Sequence, residues 1–326
     1  MADYRNILII QTAFIGDAIL ASSLLEKMHA AYPAASISIL VRKGNESVYQ
    51  QHPFLKEVLI WNKQEQKSLN LWKLLFRIRR NRYDCVINCH RYASSGFLTG
   101  FSGARHKAGF KQNPFSFLFD STAYHRIGDS RHETERYNEL VEDFAGPQVF
   151  KPRLYPQSTD LEAVNQFQQQ DYVCMAPASV WFTKQLPREK WIELCDRTAA
   201  TTAIYLLGAP GDLSLCEDIR SASRHPGIRI MAGRLSLLQS CALMQKAEMN
   251  YVNDSAPLHL ASSVNAPVRA FFCSTVPAFG FGPLSDNSKI YGIDQLECRP
   301  CGLHGYKTCP LGHFKCGHLI RMEEVS

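Results

Sequence analysis

Three short segments of this sequence combine side chains that could take part in group transfer. The first is ILIIQTAFIGDAILASSLL, in which Asp17 follows an apolar run and a single glycine, Gly16. A carboxylate at that position can accept a proton from an attacking hydroxyl group. The same residue can instead cap the helix that follows, so the segment taken by itself leaves both roles open.

The second segment, VCMAPASVWFTKQLP, places hydroxyl groups and a lysine between an apolar run and a helix start. Ser179, Thr183 and Lys184 precede Pro187, where proline suits the opening turn of a helix. Hydroxyls, exposed backbone N–H groups and one ammonium together can bind a diphosphate. An ordinary strand–loop–helix connection with a solvated lysine is the alternative.

The third segment, YVNDSAPLHLA, ends a predicted strand in polar residues. Asp254 can hydrogen-bond sugar hydroxyls while the helix after it faces phosphate, and His259 lies one helical turn further on. The alternative is that Asp254 or Ser255 caps the helix and that His259 is a buried structural histidine. Because all three segments follow predicted strands, a shared binding site explains them better than three separate helix caps.

The elements that must position these residues are short apolar runs alternating with helix-length amphipathic segments. Helices are predicted over Gly16–Ala31, within 69–83, and from near Pro187. This alternation predicts an α/β fold with doubly wound parallel sheets covered on both faces. The predicted strands are Ile7–Ile10, Ser36–Val41, Val58–Trp61, Cys85–Cys89, Tyr172–Ala176, Ala203–Leu207, Ile228–Met231, Met249–Asn253 and Val268–Phe272.

The length of 326 residues predicts two domains. A proline-rich stretch without periodicity, AGPQVFKPRLYPQS, marks a linker near Gly146–Pro156. We therefore predict two Rossmann-like domains, 1–150 on the acceptor side and 151–326 binding a nucleotide-sugar. Ligands of such sheets bind at the carboxyl ends of the strands, so a central cleft between the domains is the expected site.

Composition excludes several classes of protein. Gly16 is a single glycine where a dinucleotide fingerprint needs three, which disfavours nicotinamide and flavin enzymes. Apolar runs are too short to span a membrane, and the first residues do not resemble a secretory signal, so a cytoplasmic protein is predicted. The net charge of +6 favours anionic partners. Dispersed basic residues, and a tail without aromatic residues at base-stacking intervals, argue against a non-enzymatic nucleic-acid-binding protein.

Four cysteines crowd the end of the chain with the spacing C-x2-C-x7-C-x6-C: Cys298, Cys301, Cys309 and Cys316. Four thiols at such distances can form a structural zinc site, although the spacing matches no standard zinc finger. A redox-sensitive pair and simple packing are the alternatives. We expect the segment 298–326 to pack back toward the first domain.

The sequence resembles the lipopolysaccharide heptosyltransferases, glycosyltransferase family 9. The resemblance rests on QTAFIGDAIL, APASVWFTKQLP, GRLSL and NDSAPLHLA in this order, and CRPC…CPLGHFKC resembles the tail of the heptosyltransferase II branch. It implies a GT-B fold and an inverting, metal-independent transfer that requires no cofactor. The implied donor is of the ADP-heptose type, and the acceptor is a lipid-linked, anionic inner-core sugar at the inner face of the membrane, where the enzyme would be peripheral.

The same resemblance implies a role for each matching residue. Asp17 would be the general base, and Ser179, Thr183 and Lys184 would hold the diphosphate. The other implied donor contacts are Asp254 and Ser255 at the sugar and its phosphates, His259 nearby, Met231 and Gly233 beside the adenine, and Asp212 at the ribose. Acceptor contacts are expected from Gly16, His90, Arg91 and Tyr92, with Lys73, Arg77, Arg79, Arg80 and Arg82 facing phosphorylated sugars or the membrane.

The sequence departs from the family motifs at four positions near the expected donor. These are Ala178 and Ala256, where glycine is usual, and Gln185 and Leu186, where arginine and tryptophan are usual. Methyl groups at the two alanines restrict close approach of the backbone to phosphate. A related nucleotide-sugar transferase with another donor or acceptor is therefore the alternative function.

Overall fold

A computed structural model describes residues 3–325, apart from the side chain of Lys67. Contacts among these residues divide the chain into two compact units, and the division falls between Tyr155 and Pro156. Each unit contains one six-stranded sheet with its strands in parallel.

The first unit has the strand order β3-β2-β1-β4-β5-β6. Its strands are β1 (Asn6–Gln11), β2 (Ser36–Arg42), β3 (Leu55–Trp61), β4 (Cys85–Asn88), β5 (His106–Phe110) and β6 (Ser121–Ala123). Its helices are α1 (Ile15–Ala31), α2 (Lys67–Asn81), α3 (Ala93–Gly100), α4 (Glu133–Glu139) and α5 (Glu142–Ala145).

The second unit has the order β12-β11-β10-β7-β8-β9. Its strands are β7 (Tyr172–Ala176), β8 (Ala203–Leu206), β9 (Ile228–Ile230), β10 (Met249–Asn253), β11 (Val268–Phe271) and β12 (Ser288–Tyr291). Its helices are α6 (Ser158–Asn165), α7 (Arg188–Arg197), α8 (Leu213–Ala222), α9 (Leu237–Gln245), α10 (Ala256–Ser263) and α11 (Lys315–His318).

The central strands are buried because helices cover both faces of each sheet. All five residues of β7 are buried, as are five of the six in β1. Near-continuous apolar runs are the sequence form of such strands. The prediction of two doubly wound parallel sheets is therefore confirmed, whereas β5, β6 and β12 were not predicted.

In each sheet the chain builds one half outward from a central strand and then returns to build the other half. The change of direction falls between β1 and β4 in the first unit and between β7 and β10 in the second. Loops after these paired strands separate at the carboxyl edge and leave a crevice, which is where open α/β sheets bind ligands. Across residues 3–325, no helix is both long and apolar enough to cross a bilayer.

The cysteine-rich tail, which we expected to return toward the first domain, contributes to the core of the second unit. Phe314, Cys316, Ile320 and Met322 are buried there in one cluster with Trp191 of α7. Burial of these side chains against α7 is the physical reason that the tail belongs to the second unit.

Candidate active site

The crevice of the second unit brings Lys184 and Asp254 together. Lys184 lies in the loop after β7 and Asp254 directly follows β10, so the two residues meet where these adjacent strands end. The Lys184 Nζ atom is 2.6 Å from Asp254 Oδ2. Thr275, which follows β11, donates a hydrogen bond of 2.5 Å from its hydroxyl to the same oxygen. Both Asp254 and Thr275 are buried, so this polar group is held in a fixed arrangement.

Asn253 fixes both ends of the loop that carries Lys184. Its buried side-chain oxygen accepts a hydrogen bond of 2.8 Å from the backbone N–H of Leu186. Its amide nitrogen donates over 2.8 Å to the backbone oxygen of Pro177. The sequence interpretation missed roles for Asn253 and Thr275; the available signal was a polar residue at or just after the end of a buried strand.

The tail of the chain holds the same loop from its other side. The backbone N–H of Thr183 donates to the oxygen of Tyr306 over 3.1 Å, and the N–H of Tyr306 donates to the Thr183 hydroxyl over 2.7 Å. Ser274 donates its N–H to the oxygen of Thr183, and Cys301 donates to the oxygen of Ser274. Gly305 lies so close that a Cβ atom there would be 2.9 Å from the Thr183 hydroxyl. We call residues 301–306 the tail loop.

Arg299 anchors the start of the tail loop. Its guanidinium is buried and donates to the backbone oxygens of Cys273 over 2.8 Å, Thr275 over 2.8 Å and Ile293 over 2.6 Å. Burial lowers the pKa of Arg299, which nevertheless stays charged because its starting value is so high. Sequence analysis gave Arg299 no role, although it lies between two of the tail cysteines.

Cys298, Cys301, Cys309 and Cys316, for which zinc binding was one interpretation, lie close enough to affect one another electrostatically. Within residues 3–325, no three Cys, His, Asp or Glu side chains form a group that could hold a metal ion. The Cys301 thiol donates to the backbone oxygen of Cys298 over 3.0 Å, while Cys316 is buried in the apolar core. Packing therefore accounts for Cys316.

Ser179, Ser255 and His259 lie in the loops and helix that start at the same crevice. The backbone oxygen of Ser179 accepts a hydrogen bond of 2.6 Å from the Gln185 side chain, which braces the loop that carries Lys184. We call this loop, residues 177–187, the lysine loop. Ser255 occupies the position just before α10, but its hydroxyl makes no capping hydrogen bond. His259 is buried, and its ring centre lies 6.4 Å from that of Phe281.

Asp212, Met231 and Gly233 meet further along the carboxyl edge, after β8 and β9. The Asp212 carboxylate accepts a hydrogen bond of 2.7 Å from the backbone N–H of Ala209, which is a structural role at the start of α8. Gly233 has a φ of +71°, and a Cβ atom there would be 3.0 Å from Pro210 Cα. Met231 is buried beside this turn.

The crevice of the first unit brings the remaining predicted residues to one sheet edge. Gly16 and Asp17 lie in the first turn of α1 after β1, and His90, Arg91 and Tyr92 follow β4. These five residues therefore flank the strand pair at which the chain changes direction.

Asp17 lies close enough to Tyr137, a buried residue of α4, to affect it electrostatically. Burial raises the pKa of Tyr137 well above its ordinary value, and the negative charges of Glu133 and Asp17 raise it further. The Tyr137 hydroxyl accepts a hydrogen bond of 2.7 Å from Gln11 at the end of β1. A neutral tyrosine therefore lies near the carboxylate.

His90 is neutral at ordinary pH. Burial lowers its pKa to about 4, and the positive charges of Lys63 and Arg91 act in the same direction. Its Nδ1 atom lies 3.3 Å from the Thr12 hydroxyl, and Lys63 donates to the Thr12 backbone oxygen over 2.7 Å. The cationic groups at this edge are thus Lys63 and Arg91 rather than the imidazole, while Tyr92 is 63% exposed.

Comparison with known proteins identifies the family. Residues 71–312 match the model of glycosyltransferase family 9 (heptosyltransferase), which is more than half of the chain. The chain belongs to glycosyltransferase family 9. It is therefore a glycosyltransferase, as the order of its motifs predicted.

Three relatives resemble this chain over most of the length of both chains. Lipooligosaccharide heptosyltransferase 2 of Haemophilus influenzae is 22% identical, with 90% of each chain covered. Among solved structures, the ADP-heptose lipopolysaccharide heptosyltransferase II of E. coli has 21% identity and a TM-score of 0.77, covering 96% of this chain and 98% of that one. A family 9 glycosyl transferase from Veillonella parvula has 20% identity and a TM-score of 0.79, covering 88% and 86%. The predicted GT-B fold is thereby confirmed.

Proposed function

We propose that this glycosyltransferase moves heptose from an ADP-heptose-type donor to a lipid-linked inner-core sugar of lipopolysaccharide. Its relatives named as heptosyltransferases support the sugar and the acceptor class. The observation that carries the proposal is the group formed by Lys184, Asp254 and Thr275 at the strand-order reversal of the second unit. A fixed ammonium beside a sugar-binding carboxylate suits a sugar diphosphate.

The donor would bind along the carboxyl edge of the second sheet. Lys184 would share its ammonium between Asp254 and the diphosphate, and Ser179 in the same loop would supply hydroxyl and backbone contacts. Thr183 would supply only its hydroxyl proton, because its backbone N–H is donated to Tyr306. The other proposed donor contacts are Asp254 and Ser255 to the sugar, His259 beside them, Met231 and Gly233 at the adenine, and Asp212 at the ribose.

The reaction would be a single displacement at the anomeric carbon. The acceptor hydroxyl attacks this carbon, the bond to the phosphate oxygen breaks, and ADP leaves with the bonding electrons. Asp17 takes the hydroxyl proton, and Lys184 stabilises the negative charge on the departing diphosphate. One displacement inverts the configuration, and a lysine at the leaving group provides the charge that a metal ion supplies in other transferases.

The acceptor would bind at the carboxyl edge of the first sheet. Arg91 and Lys63 would attract its phosphate groups, since His90 is neutral, and Gly16 would allow close approach to Asp17. Tyr92 is exposed and can pack on a sugar ring. Because the acceptor is lipid-linked, the enzyme would act as a peripheral protein at the inner face of the cytoplasmic membrane.

Replacing Asp17 by Asn tests the chemical step. A general base contributes about 10²- to 10⁴-fold, so turnover should fall by that factor while affinity for ADP stays unchanged. Asp160→Asn is the matched control, because Asp160 is also a carboxylate in the first turn of a helix and accepts a backbone hydrogen bond there. Near-normal turnover of the Asp17→Asn protein would remove the base assignment.

A related transferase with a different donor is the second candidate. It is supported by residues of the lysine loop that differ from the family motif. The Gln185 side chain spans the loop to Ser179, and Leu186 is buried, where the family motif usually has arginine and tryptophan. Incubation with a panel of nucleotide sugars and a truncated lipid-sugar acceptor, followed by mass measurement, identifies the transferred sugar. Transfer of a hexose in preference to heptose would establish this second candidate.

A further inference from the structure

The solvent-facing side of α2 in the first unit carries large apolar side chains. Leu69, Trp72 and Phe76 are 48%, 51% and 67% exposed, whereas Leu75 and Ile78 pack into the core. The spacing i, i+3, i+7 places the three exposed side chains on one stripe of the helix. A surface helix normally has polar residues on its solvent-facing side, so this apolar stripe indicates a binding surface.

Neighbouring rings extend this stripe into a continuous surface. The ring centres of Trp72 and Phe97 are 5.2 Å apart, those of Phe97 and Phe101 5.0 Å, and those of Phe101 and Phe115 6.2 Å. Phe117, 6.3 Å from Phe115, is 77% exposed. We call Trp72, Phe76, Phe101 and Phe117, with the partly buried rings between them, the aromatic surface.

A row of cations runs beside the aromatic surface on the same helix. Lys73, Arg77 and Arg80 are exposed and follow the spacing i, i+4, i+7, one residue out of step with the apolar stripe. Together with Phe76 they line one surface depression. The sequence from 67 to 82 contains no aspartate or glutamate, although Arg77 pairs with Glu57 of β3. We call these three residues the basic stripe.

We propose that the aromatic surface and the basic stripe bind the surface of a bilayer that contains anionic phospholipid. Tryptophan and other aromatic side chains are stable at the level of lipid headgroups, where one end is apolar and the other is hydrated. Lysine and arginine next to them bind anionic headgroups electrostatically. A second copy of the chain fits less well, because a twofold contact through this surface would bring the same cations together.

This inference extends the proposed function, because a lipid-linked acceptor lies at such a bilayer surface. The test is co-sedimentation of the full chain with vesicles of equal parts phosphatidylcholine and phosphatidylglycerol, and with vesicles of phosphatidylcholine alone. Lys73→Gln/Arg80→Gln should weaken binding to the anionic vesicles about 30-fold, at about 1 kcal/mol for each cation. Trp72→Gln/Phe76→Gln should weaken it by about tenfold or more.

Leu161→Gln/Leu213→Gln is the matched control, since these exposed leucines lie on the second unit. It should bind anionic vesicles like the unmodified chain, and Phe117→Gln provides a separate test if the Trp72 double variant unfolds at a lower temperature. Equal binding to both kinds of vesicle, or binding that neither double variant weakens, would overturn the inference. So would a dimer that the aromatic double variant abolishes, because the surface would then be a protein interface. The assay contains neither donor nor acceptor, so its failure would leave the transferase proposal untouched, and retained ADP binding by the variants would show this directly.

Discussion

Gly305 of the tail loop offers a direct test of how the lysine loop is held. Its missing side chain lets the tail approach the loop so closely that Tyr306 forms hydrogen bonds with the backbone N–H and the hydroxyl of Thr183. Replacing Gly305 by alanine adds one methyl group at this contact. We expect the tail loop and the lysine loop to move apart, which displaces Lys184.

The size of the effect follows from the geometry at Gly305. The added Cβ atom would lie 2.9 Å from the Thr183 hydroxyl, 3.0 Å from Lys184 Cγ and 3.2 Å from the Ser274 hydroxyl. Crowding of this kind costs about 1–3 kcal/mol in a packed region. The residue also has a φ of +78°, in which an alanine costs about 1–2 kcal/mol more than glycine.

Gly312 is a matched control in the same tail. It has a φ of +70°, but a Cβ atom there would meet no described atom within 4 Å. Gly312→Ala therefore carries the conformational cost without the crowding. Urea unfolding should show that Gly305→Ala loses about 1–3 kcal/mol more than Gly312→Ala.

Titration calorimetry with ADP measures the consequence for the donor site. If part of the crowding is relieved by displacement of Lys184, ADP affinity should fall roughly ten- to hundredfold in Gly305→Ala and stay unchanged in Gly312→Ala. Two variants that unfold alike and bind ADP alike would refute the idea that the tail positions the lysine loop.

Three further substitutions test the buried groups of each unit. Thr275→Val removes the hydroxyl that donates to Asp254, so the free energy of unfolding should fall by about 1.5–3 kcal/mol, and Thr275→Ser should restore it. Asn253→Ala leaves two buried backbone groups without their partner at about 1–3 kcal/mol each, and an unchanged urea midpoint would contradict this role. Burial, with a smaller contribution from the charge of His29, lowers the pKa of His52 to about 4. The unfolded chain therefore binds a proton below about pH 6.5 that folded His52 does not, so the contribution of His52 to stability should decline by about 3 kcal/mol as pH falls from 6.5 to 4. His52→Phe should decline less over this range in unfolding experiments at several pH values.

Strand prediction succeeded where a strand is buried on both faces. The apolar runs at Ile7–Ile10 and Tyr172–Ala176 identify β1 and β7 within a residue or two. The strands β6 (STA) and β12 (SKIY) lie at sheet edges and carry polar or basic residues, so they show no apolar run. Such strands form because a neighbouring strand offers them hydrogen bonds, which a local pattern does not reveal.

Residues of the candidate site could likewise be predicted only where a local sequence pattern indicates them. Lys184 and Asp254 could be singled out because Lys184 lies in the loop after one recognisable strand and Asp254 directly follows another, and parallel strands place all their carboxyl ends at one edge. Thr275 was missed because a single threonine after a strand carries no signal by itself. The cysteine spacing left zinc binding, a redox-sensitive pair and packing open, and only the structure shows that Cys316 packs in the core, because spacing alone does not determine where side chains point.

The sequence by itself therefore determined the two doubly wound sheets, the family and the loops that carry the chemical groups. These features depend on residues close together in the chain, whose alternation and order can be read directly. Only the tertiary structure decided that Tyr306 of the tail hydrogen-bonds to Thr183, 123 positions earlier, and that Thr275 donates to Asp254. Contacts between distant segments depend on how whole elements pack, and no local periodicity encodes them.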